Sequence, residues 1–248
     1  MTAPLAVVLV EPSGPLNVGS VARLCANFGV SSLRLVAPRC DPQDPQAKQM
    51  AVRGLEQLLA CQLYPNLEAA VADCRRVVAC SGRVEAKERE HLPPQAALQW
   101  LMEPMPGPSQ VALVFGREDH GLHSSELNLA GKLLRIPTSE AYGSLNLSHA
   151  VAICLAEQQR QMTTPRGSST DASPPLPAHA ALEAAMQDAE NLLLEVGFLY
   201  PHTAAARMAK LRQLVLRAEP SEAEVAMLRG MVRQLRWASR HGVTGEPR

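Results

Sequence analysis

The sequence predicts an α/β fold, in which a mostly parallel β-sheet is flanked by helices and followed by a small helical extension. Five short runs rich in aliphatic and β-branched residues predict the strands. Most of them lack the apolar–polar alternation of a half-exposed strand, as expected for strands covered on both faces. Helix-like stretches separate the runs, which is typical of parallel strands joined by crossover helices. The runs cover residues 5–10, 32–36, 76–80, 111–115 and 132–136.

The predicted helices of the first part alternate with these strands. The clearest of them, residues 145–161, places Leu147, Val151 and Cys154 on one stripe at helical spacing. We therefore expect it to pack against the sheet. The other helices are predicted at residues 18–28, 51–60, 67–73, 94–101 and 124–130.

A segment rich in Pro, Ser and Thr divides the chain. Residues 163–178 contain almost no large apolar side chain, so they cannot bury enough surface to offset the entropy lost on ordering. We therefore predict an α/β domain over residues 1–162, a flexible linker over residues 163–178, and a helical extension over residues 179–248.

Three amphipathic helices are predicted in the extension. The first follows from apolar residues at intervals of three and four, and Gly197 is placed like a helix-terminating residue. The others cover residues 204–217 and 221–239, since a proline breaks the pattern between them and Ser221 with Glu224 fits a capping box. Along these two helices an apolar seam with an arginine-rich outside is predicted, formed by Leu211, Leu214, Val215, Leu228, Met231 and Leu235.

Composition and charge narrow the classes of partner. Aromatic residues make up 3% of the chain, which disfavours RNA binding by rows of stacked rings. The formal net charge is zero, yet the part from Pro201 to the end holds nine Lys and Arg against four acidic residues. This predicts a basic patch at the C-terminal end of an otherwise neutral protein.

The cysteines and the hydropathy pattern predict a cytoplasmic protein with no membrane span. The six cysteines lie at irregular spacings without a C-x-x-C pair, so we expect reduced, mostly buried thiols. No run of eighteen apolar residues occurs, and the chain enters its first strand without a basic leader.

The first candidate motif follows the first predicted strand. Residues 11–23 pass through a Gly- and Pro-rich loop into a helix whose first turns hold Asn17, Ser20 and Arg23. Free N–H groups at a helix N-terminus, placed at the carboxyl edge of a parallel sheet, favour a phosphate or nucleotide. A purely structural role is an equal alternative, in which the glycines form a turn, Asn17 or Ser20 caps the helix and Arg23 is solvated.

The second motif is the loop after the fourth predicted strand. It follows Phe115, and Gly116 and Gly121 bracket the acidic Glu118. Glycines after a buried strand allow a ligand to approach the backbone, although a tight turn alone would explain them equally well.

The third motif lies between the last predicted strand and the long helix. The strand ends at Ile136, and a polar loop leads to Ser144, Asn146 and Ser148. Ser144 and Asn146 are residues that cap helices, so this motif too has a structural alternative. Three such loops at strand ends nevertheless favour one shared site.

The combination of these motifs resembles the SPOUT methyltransferases, in particular their TrmH-like branch. The residues that carry the resemblance are N-x-G-S-x-A-R from Asn17, F-G-x-E-x-x-G from Phe115, and I-P followed by S-L-N-L-S from Ser144. The resemblance covers about the first 160 residues. It implies a parallel sheet of five to six strands, a deep trefoil knot in the C-terminal part of the domain, and a homodimer whose site is completed across the subunit interface.

The resemblance also implies S-adenosylmethionine as cofactor, without a metal, held mainly by backbone atoms of three loops. The first of these loops, after the third predicted strand, follows from the resemblance alone. The implied cofactor-binding residues are Cys80, Ser81, Gly82, Gly116, Gly121, Ile136, Gly143, Ser144 and Leu145.

Five residues are implied for catalysis: Arg23, Ser144, Asn17, Asn146 and Glu118. Proton removal from the ribose is assigned to Arg23 in family proposals, but a pKa above about 12 makes a neutral guanidine base costly. Binding of a phosphate and stabilisation of an alkoxide is the alternative role. Ser144 and Asn146 would position the ribose or the cofactor, Asn17 would orient Arg23 or the substrate, and Glu118 would hold the loop or the partner's Arg23.

The extension resembles that of bacterial tRNA 2′-O-methyltransferases acting on cytidine or uridine 32 of the anticodon loop. The matching residues are Gly197-Phe198-Leu199, the L-R-x-L-x-x-R-A run from Leu211, and Leu228 to Met231. The resemblance implies tRNA as partner, with basic helices that contact its backbone.

Several alternatives stay open beside this interpretation. The substrate could be ribosomal RNA or another tRNA position, and a non-catalytic RNA-binding dimer is a further class. His120 and His123 near Glu118 suggest a metal site, which the absence of further ligands at suitable spacing disfavours. Cys80 as a nucleophile lacks a supporting His/Asp arrangement in the sequence.

Overall fold

The computed structural model describes residues 3–82, 89–107, 109–163 and 175–241. Its first unit is built on a seven-stranded sheet in the order β3-β2-β1-β6-β4-β7-β5, and every strand pairing is parallel. The predicted α/β class with a parallel sheet is thereby confirmed. The strands are β1 Leu5–Val10, β2 Ser32–Val36, β3 Gln62–Tyr64, β4 Cys74–Cys80, β5 His91–Leu92, β6 Gln110–Phe115 and β7 Lys132–Leu134.

Helices cover both faces of the sheet, which explains the uninterrupted apolar strands. All six residues of β1 are buried. Val7 and Leu9 lie in one apolar core with residues of α1, α2, α3, α5 and α7, whereas Ala6 and Val8 lie in a second core with residues of α4 and α6. The helices of this unit are α1 Pro15–Asn27, α2 Pro45–Ala51, α3 Leu55–Leu59, α4 Leu67–Ala70, α5 Pro94–Leu101, α6 Ser124–Leu127 and α7 Leu147–Thr163.

The structure departs from the predicted elements mainly at the edges of the sheet. The two short strands β3 and β5 were not predicted, because their residues are exposed or half-buried and form no apolar run. In place of one helix over residues 51–60, α2 begins at Pro45 and a 3₁₀ turn, Val52–Gly54, separates it from α3. Asp44 caps α2 by accepting a hydrogen bond from the backbone N–H of Gln46 at 2.8 Å.

The second unit contains three helices, α8 His179–Glu195, α9 Pro201–Ala218 and α10 Glu222–His241. Both α9 and α10 pack against α8. The capping box forms as predicted, with hydrogen bonds from Ser221 N to Glu224 Oε2 at 2.7 Å and from Glu224 N to Ser221 Oγ at 3.3 Å. Gly197 ends α8 with a φ of +75°, a conformation that favours glycine. None of the helices in the described part is both long and apolar enough to cross a membrane.

The apolar seam predicted for this unit is wrong in part. Val215 is buried and Leu211 packs against the core, but Leu214, Met231 and Leu235 are 53–55% exposed. The core centres on the α8 face that includes Leu182, Ala185 and Met186. The sequence pattern shows that a helix is amphipathic, but it does not say which neighbour its apolar residues meet.

The two compact units are divided between residues 172 and 173. The predicted linker, residues 163–178, falls mostly on residues 164–174, which lie outside the described residues. The three-part division of the chain therefore stays a prediction.

Candidate functional site

The candidate site is a pocket beyond the carboxyl ends of β6, β4 and β7, which are neighbours in the sheet. Its volume of about 400 Å³ suits a small organic molecule. In open parallel sheets, ligands bind in crevices at this edge. The lining residues are Cys80, Ser81, Gly82, Phe115, Gly116, Arg117, Glu118, Asp119, His120, Gly121, Leu122, Ile136, Gly143, Ser144, Leu145, Leu147 and Ala150.

All nine residues predicted to bind a cofactor line this one pocket. They come from three loops that are far apart in the sequence, after β4, after β6 and after β7. Ile136 and Leu145 were predicted, but sequence reasoning missed the other apolar lining residues, Phe115, Leu122, Leu147 and Ala150. These residues look like ordinary core residues, and only the topology brings them to the pocket.

Gly116 and Gly121 allow the loop after β6 to close tightly. A Cβ on Gly116 would lie 2.2 Å from the carbonyl carbon of Gly121, and Gly121 has a φ of +66°. Two backbone hydrogen bonds between Arg117 and Gly121, at 3.2 and 3.0 Å, close the turn. The glycines thus form the tight turn that was one of the two interpretations of the sequence. The same turn also lines the pocket.

Glu118 leaves this loop and holds the N-terminus of α1. Its carboxylate accepts hydrogen bonds from the backbone N–H groups of Ser13 and Gly14 and from Asn17 Nδ2, each at 3.1 Å. Burial alone would raise the pKa of Glu118, but the hydrogen bonds from Asn17, Ser13 and Gly14 outweigh it and lower that pKa. An ionised carboxylate is favoured at the positive end of a helix.

Asn17 and Asn146 continue this chain of hydrogen bonds to the third motif. Asn146 Nδ2 donates to Asn17 Oδ1 at 3.0 Å, and Asn146 Oδ1 accepts from the backbone N–H of Ser148 at 2.9 Å. A carboxylate only accepts and a backbone N–H only donates, so the two ends determine the orientation of both amides. We call Glu118, Asn17 and Asn146 the amide relay; it ties the three motifs together.

Arg117, the neighbour of Glu118 in the chain, is the centre of a second group of charges that sequence reasoning missed. The Arg117 side chain is 3% exposed and makes two hydrogen bonds of 2.9 Å to the Glu126 carboxylate. It also pairs with Glu11, which binds Arg39 at 2.8 Å. The hydrogen bonds and charges of Arg117 and, to a smaller extent, of Arg39 lower the pKa of Glu11 to about 2. In the sequence, the only indication was that Glu11 and Arg117 each follow the end of a predicted strand. The structure shows that these strands, β1 and β6, are neighbours in the sheet.

Arg23 and Gly19 occupy other sides of α1. Arg23 is exposed, has no ion-pair partner among the described residues and does not line the pocket of its own chain. Gly19 faces α2, where a Cβ would lie 2.2 Å from the carbonyl oxygen of Ala47. This glycine of the first motif is therefore required for helix packing.

The arrangement gives no support to the metal and nucleophile alternatives. His120 Nε2 lies 3.2 Å from Asp119, and the described part of the chain has no group of three or more His, Cys, Asp and Glu side chains suited to a metal. Cys80 lies against Cys154, and the hydrogen bond between the two thiols and burial raise the pKa of Cys154. A neighbouring thiol of raised pKa does not activate a nucleophile.

Comparison with family models matches both parts of the chain. Residues 4–156 match the SpoU rRNA Methylase family, and residues 180–244 match the C-terminal domain of the tRNA methyltransferase TrmJ. The first match covers the pocket and the relay, and the second covers most of the three-helix unit.

Individual relatives match over nearly the whole chain. A tRNA (cytidine/uridine-2′-O-)-methyltransferase TrmJ from Cronobacter sakazakii is 35% identical, over 91% of this chain and 93% of its own. A tRNA (cytidine/uridine/adenosine-2′-O-)-methyltransferase TrmJ from Pseudomonas aeruginosa is 31% identical, over 94% of both chains. The crystal structure of TrmJ from Z. mobilis superposes with a TM-score of 0.82 at 30% identity, covering 94% of this chain and 99% of that one.

Proposed function

The chain belongs to the SpoU rRNA methylase family, and from this membership and the geometry of its pocket we propose that it transfers a methyl group from S-adenosylmethionine to a ribose 2′-hydroxyl of tRNA. The observation that carries the proposal is the amide relay, because it brings the three motif loops together beside a pocket of suitable size. The relatives at 35% and 31% identity are named for tRNA 2′-O-methylation.

The pocket fits the proposed cofactor in size and in chemistry. A Cβ on Gly82 or Gly121 would meet no atom within 4 Å, so the backbone is open to a ligand at both positions. Phe115, Ile136 and Leu145 offer apolar surface for an adenine ring, and polar groups lie between them. When bound, S-adenosylmethionine supplies an electrophilic methyl group on a sulfonium, and the transfer needs no metal.

The proposed position is nucleotide 32 of the anticodon loop, at cytidine or uridine. The match of the second unit to a TrmJ C-terminal domain supports tRNA as the RNA class. The nucleotide number rests on the resemblance of the extension. Because the Pseudomonas aeruginosa relative is also named for adenosine, the assay should include tRNAs with adenosine at this position.

The side chains of the relay act in positioning and not in proton transfer. The Glu118 carboxylate already accepts hydrogen bonds from three residues, so it is poorly placed to remove a proton from the substrate. Asn17 and Asn146 orient each other and the start of α7, which follows the loop of Ser144. Ser144, exposed at the pocket, is the side chain that we assign to orienting the ribose.

Arg23 is proposed to act on the pocket of the partner subunit. It is exposed, lacks an ion-pair partner among the described residues and lies outside the pocket lining of its own chain. A homodimer in which the partner's Arg23 completes the site gives this cation a function. Because guanidine stays protonated, it would bind the adjacent phosphate and stabilise the alkoxide that forms as the hydroxyl loses its proton.

Two further features follow the family in this proposal. We propose that the C-terminal part of the first unit forms a deep trefoil knot. We also propose a cytoplasmic location, in keeping with six cysteines that are all free thiols.

The test is methyl transfer from labelled S-adenosylmethionine to unmodified tRNA transcripts, with the methylated nucleoside mapped. We expect a 2′-O-methyl group at nucleotide 32, and a loss of kcat of about 100-fold or more in Arg23→Ala. Arg160→Ala is the matched control, an exposed arginine of α7 that pairs with Glu157 about 20 Å along the helix from Asn146. It should retain the wild-type rate.

Ribosomal RNA is the second candidate substrate, because the matching family model carries that description. The same assay with ribosomal RNA discriminates the two: transfer to ribosomal RNA alone refutes the tRNA proposal. Thermal stabilisation by S-adenosylmethionine without transfer to any RNA would instead indicate a non-catalytic binding protein.

A further inference from the structure

Half of the cations on α9 and α10 are compensated within their own unit. Each of these two helices carries four Lys and Arg residues, whereas α8 carries four acidic residues and no cation. Four arginines make ion pairs of 2.7–3.9 Å with α8. The pairs are Arg212 with Glu183, Arg229 with Asp188, and both Arg236 and Arg240 with Glu195. Three of the four arginines of α10 therefore pair with α8. Arg229 and Arg240 remain 46% and 61% exposed, in keeping with the arginine-rich outside predicted from the sequence.

The uncompensated cations are concentrated on one helix. Arg207, Lys210, Arg217 and Arg233 are exposed and have no acidic partner among the described residues. Arg207 donates one hydrogen bond, at 3.2 Å, to the neutral carbonyl of Phe198. Three of the four lie on α9, and the sequence of α9 contains no Asp or Glu.

These three cations share one face of α9, which we call the α9 cation face (Arg207, Lys210 and Arg217). At about 100° per residue they lie within about 80° of the helix circumference and span about 15 Å along its axis. The buried residues Ala204, Met208 and Val215 point about 120° away, toward the core of the unit. The face is thus turned to solvent by the packing of α9.

We propose that the α9 cation face is the surface through which the second unit binds the phosphates of its RNA substrate, while α10 contributes little. The proposal rests on the proposed tRNA substrate and adds where the unit contacts it. A row of cations without acids or aromatics suits a phosphate backbone, which is bound by charge without reading bases.

The composition of the face favours RNA over a membrane surface. A helix that lies on a lipid bilayer places a broad apolar face into it. Leu214, 55% exposed, is the only large apolar residue between the three cations, and the opposite apolar face of α9 is buried in the core of the unit.

The test compares tRNA binding by the complete protein over a series of KCl concentrations. The triple variant Arg207→Gln, Lys210→Gln and Arg217→Gln removes the charges and keeps helix propensity nearly constant. The matched single variants are Arg217→Gln on the face and Arg233→Gln on α10, both exposed and without an acidic partner in the described part of the chain. Circular dichroism and thermal unfolding verify that each variant is folded.

We expect the triple variant to bind tRNA about tenfold or more weakly near 0.1 M salt, and the slope of log K against log salt to decrease by about 2. Arg217→Gln should lower the slope by somewhat less than 1, and Arg233→Gln should leave it unchanged. The KM for tRNA should rise in the triple variant together with the loss of affinity, whereas Arg233→Gln should keep the wild-type KM and kcat.

Other outcomes separate this proposal from the proposed function. An unchanged slope in the triple variant, or equal effects of Arg217→Gln and Arg233→Gln, overturns the α9 cation face even if tRNA is methylated. Tight tRNA binding with the expected slopes but no methyl transfer refutes only the proposed function. If the triple variant loses binding to anionic phospholipid vesicles and keeps wild-type tRNA binding, the face belongs to a membrane surface and the proposal is wrong.

Discussion

At the scale of single residues, Arg117 and Glu118 are neighbours that hold different parts of the site. Glu118 belongs to the amide relay and binds Asn17 of α1, whereas Arg117 pairs with Glu11 and Glu126. Glu11 directly follows β1 and has a φ of 46°, an unusual backbone conformation for a residue other than glycine. The ion pairs with Arg117 therefore stabilise the point at which the first motif leaves the sheet.

The stability of the first unit should depend on the ionisation of Glu11. Its pKa is about 2 in the folded protein and near the ordinary value of 4.5 when unfolded. A lowered folded-state pKa means that the stabilisation is complete above pH 4.5 and is lost as the pH falls toward 2. Glu11→Gln should thus cost about 1–3 kcal/mol at pH 7, with a difference from wild type that shrinks between about pH 5 and pH 2.

The measurement is urea unfolding followed by Trp100 fluorescence in a Trp237→Phe background, so that only the first unit is observed. Glu56→Gln is the control, since Glu56 is exposed on α3 and makes no side-chain hydrogen bond or ion pair within the described residues. A Glu11→Gln deficit that is the same at pH 7 and pH 3 would show that ionisation of Glu11 is not its source.

At the scale of elements, local residue patterns predicted most of what places the site. The apolar runs predicted β1, β2, β4, β6 and β7. The three motifs were expected to meet because the carboxyl ends of parallel strands share one edge. Two kinds of feature were beyond such patterns. Pairings between distant side chains, such as Arg117 with Glu11, depend on the strand order, and the exposure of Met231 and Leu235 depends on which face of α10 meets α8.

Substitution of two helix glycines, Gly230 and Gly19, distinguishes the effect of helix propensity on stability from the effect of close packing. Alanine is favoured over glycine by about 1 kcal/mol within a helix. Gly230→Ala in α10 meets no atom within 4 Å, so we expect it to stabilise the second unit by about 0.5–1 kcal/mol. Gly19→Ala puts a Cβ 2.2 Å from the Ala47 carbonyl oxygen, and we expect a net loss of about 1–3 kcal/mol in the first unit.

The fluorescence of Trp100 and of Trp237 reports the two units separately, each in a variant that lacks the other tryptophan. If Gly19→Ala were as stabilising as Gly230→Ala, the close approach of α1 and α2 would not be a constraint on the first motif. Because α1 also carries Asn17, the loss of stability should be accompanied by a lower rate of methyl transfer.

At the scale of the whole molecule, each chain has its own pocket, and Arg23 of the same chain does not line that pocket. The third motif loop is exposed, with Ser144 and Asn146 accessible and Tyr142 79% exposed. A two-fold dimer, in which the same surface patch is used twice, would bring Arg23 of each subunit to the pocket of the other. Each site would then be built from two chains.

This arrangement should make Arg23→Ala and Glu118→Gln complementary. We expect Glu118→Gln alone to be inactive, because it removes the carboxylate that anchors the amide relay. With Arg23→Ala in one subunit and Glu118→Gln in the other, a dimer of the proposed kind has one doubly altered site and one intact site. Heterodimers isolated through two different affinity tags should therefore recover roughly half of the wild-type activity per dimer. The control is a dimer in which both subunits carry Arg23→Ala, each with a different tag. It should stay inactive. If the two residues act within one chain, each site of the heterodimer carries one defect and the heterodimer is as inactive as its parents, which would refute the shared site while leaving the pocket and the relay in place.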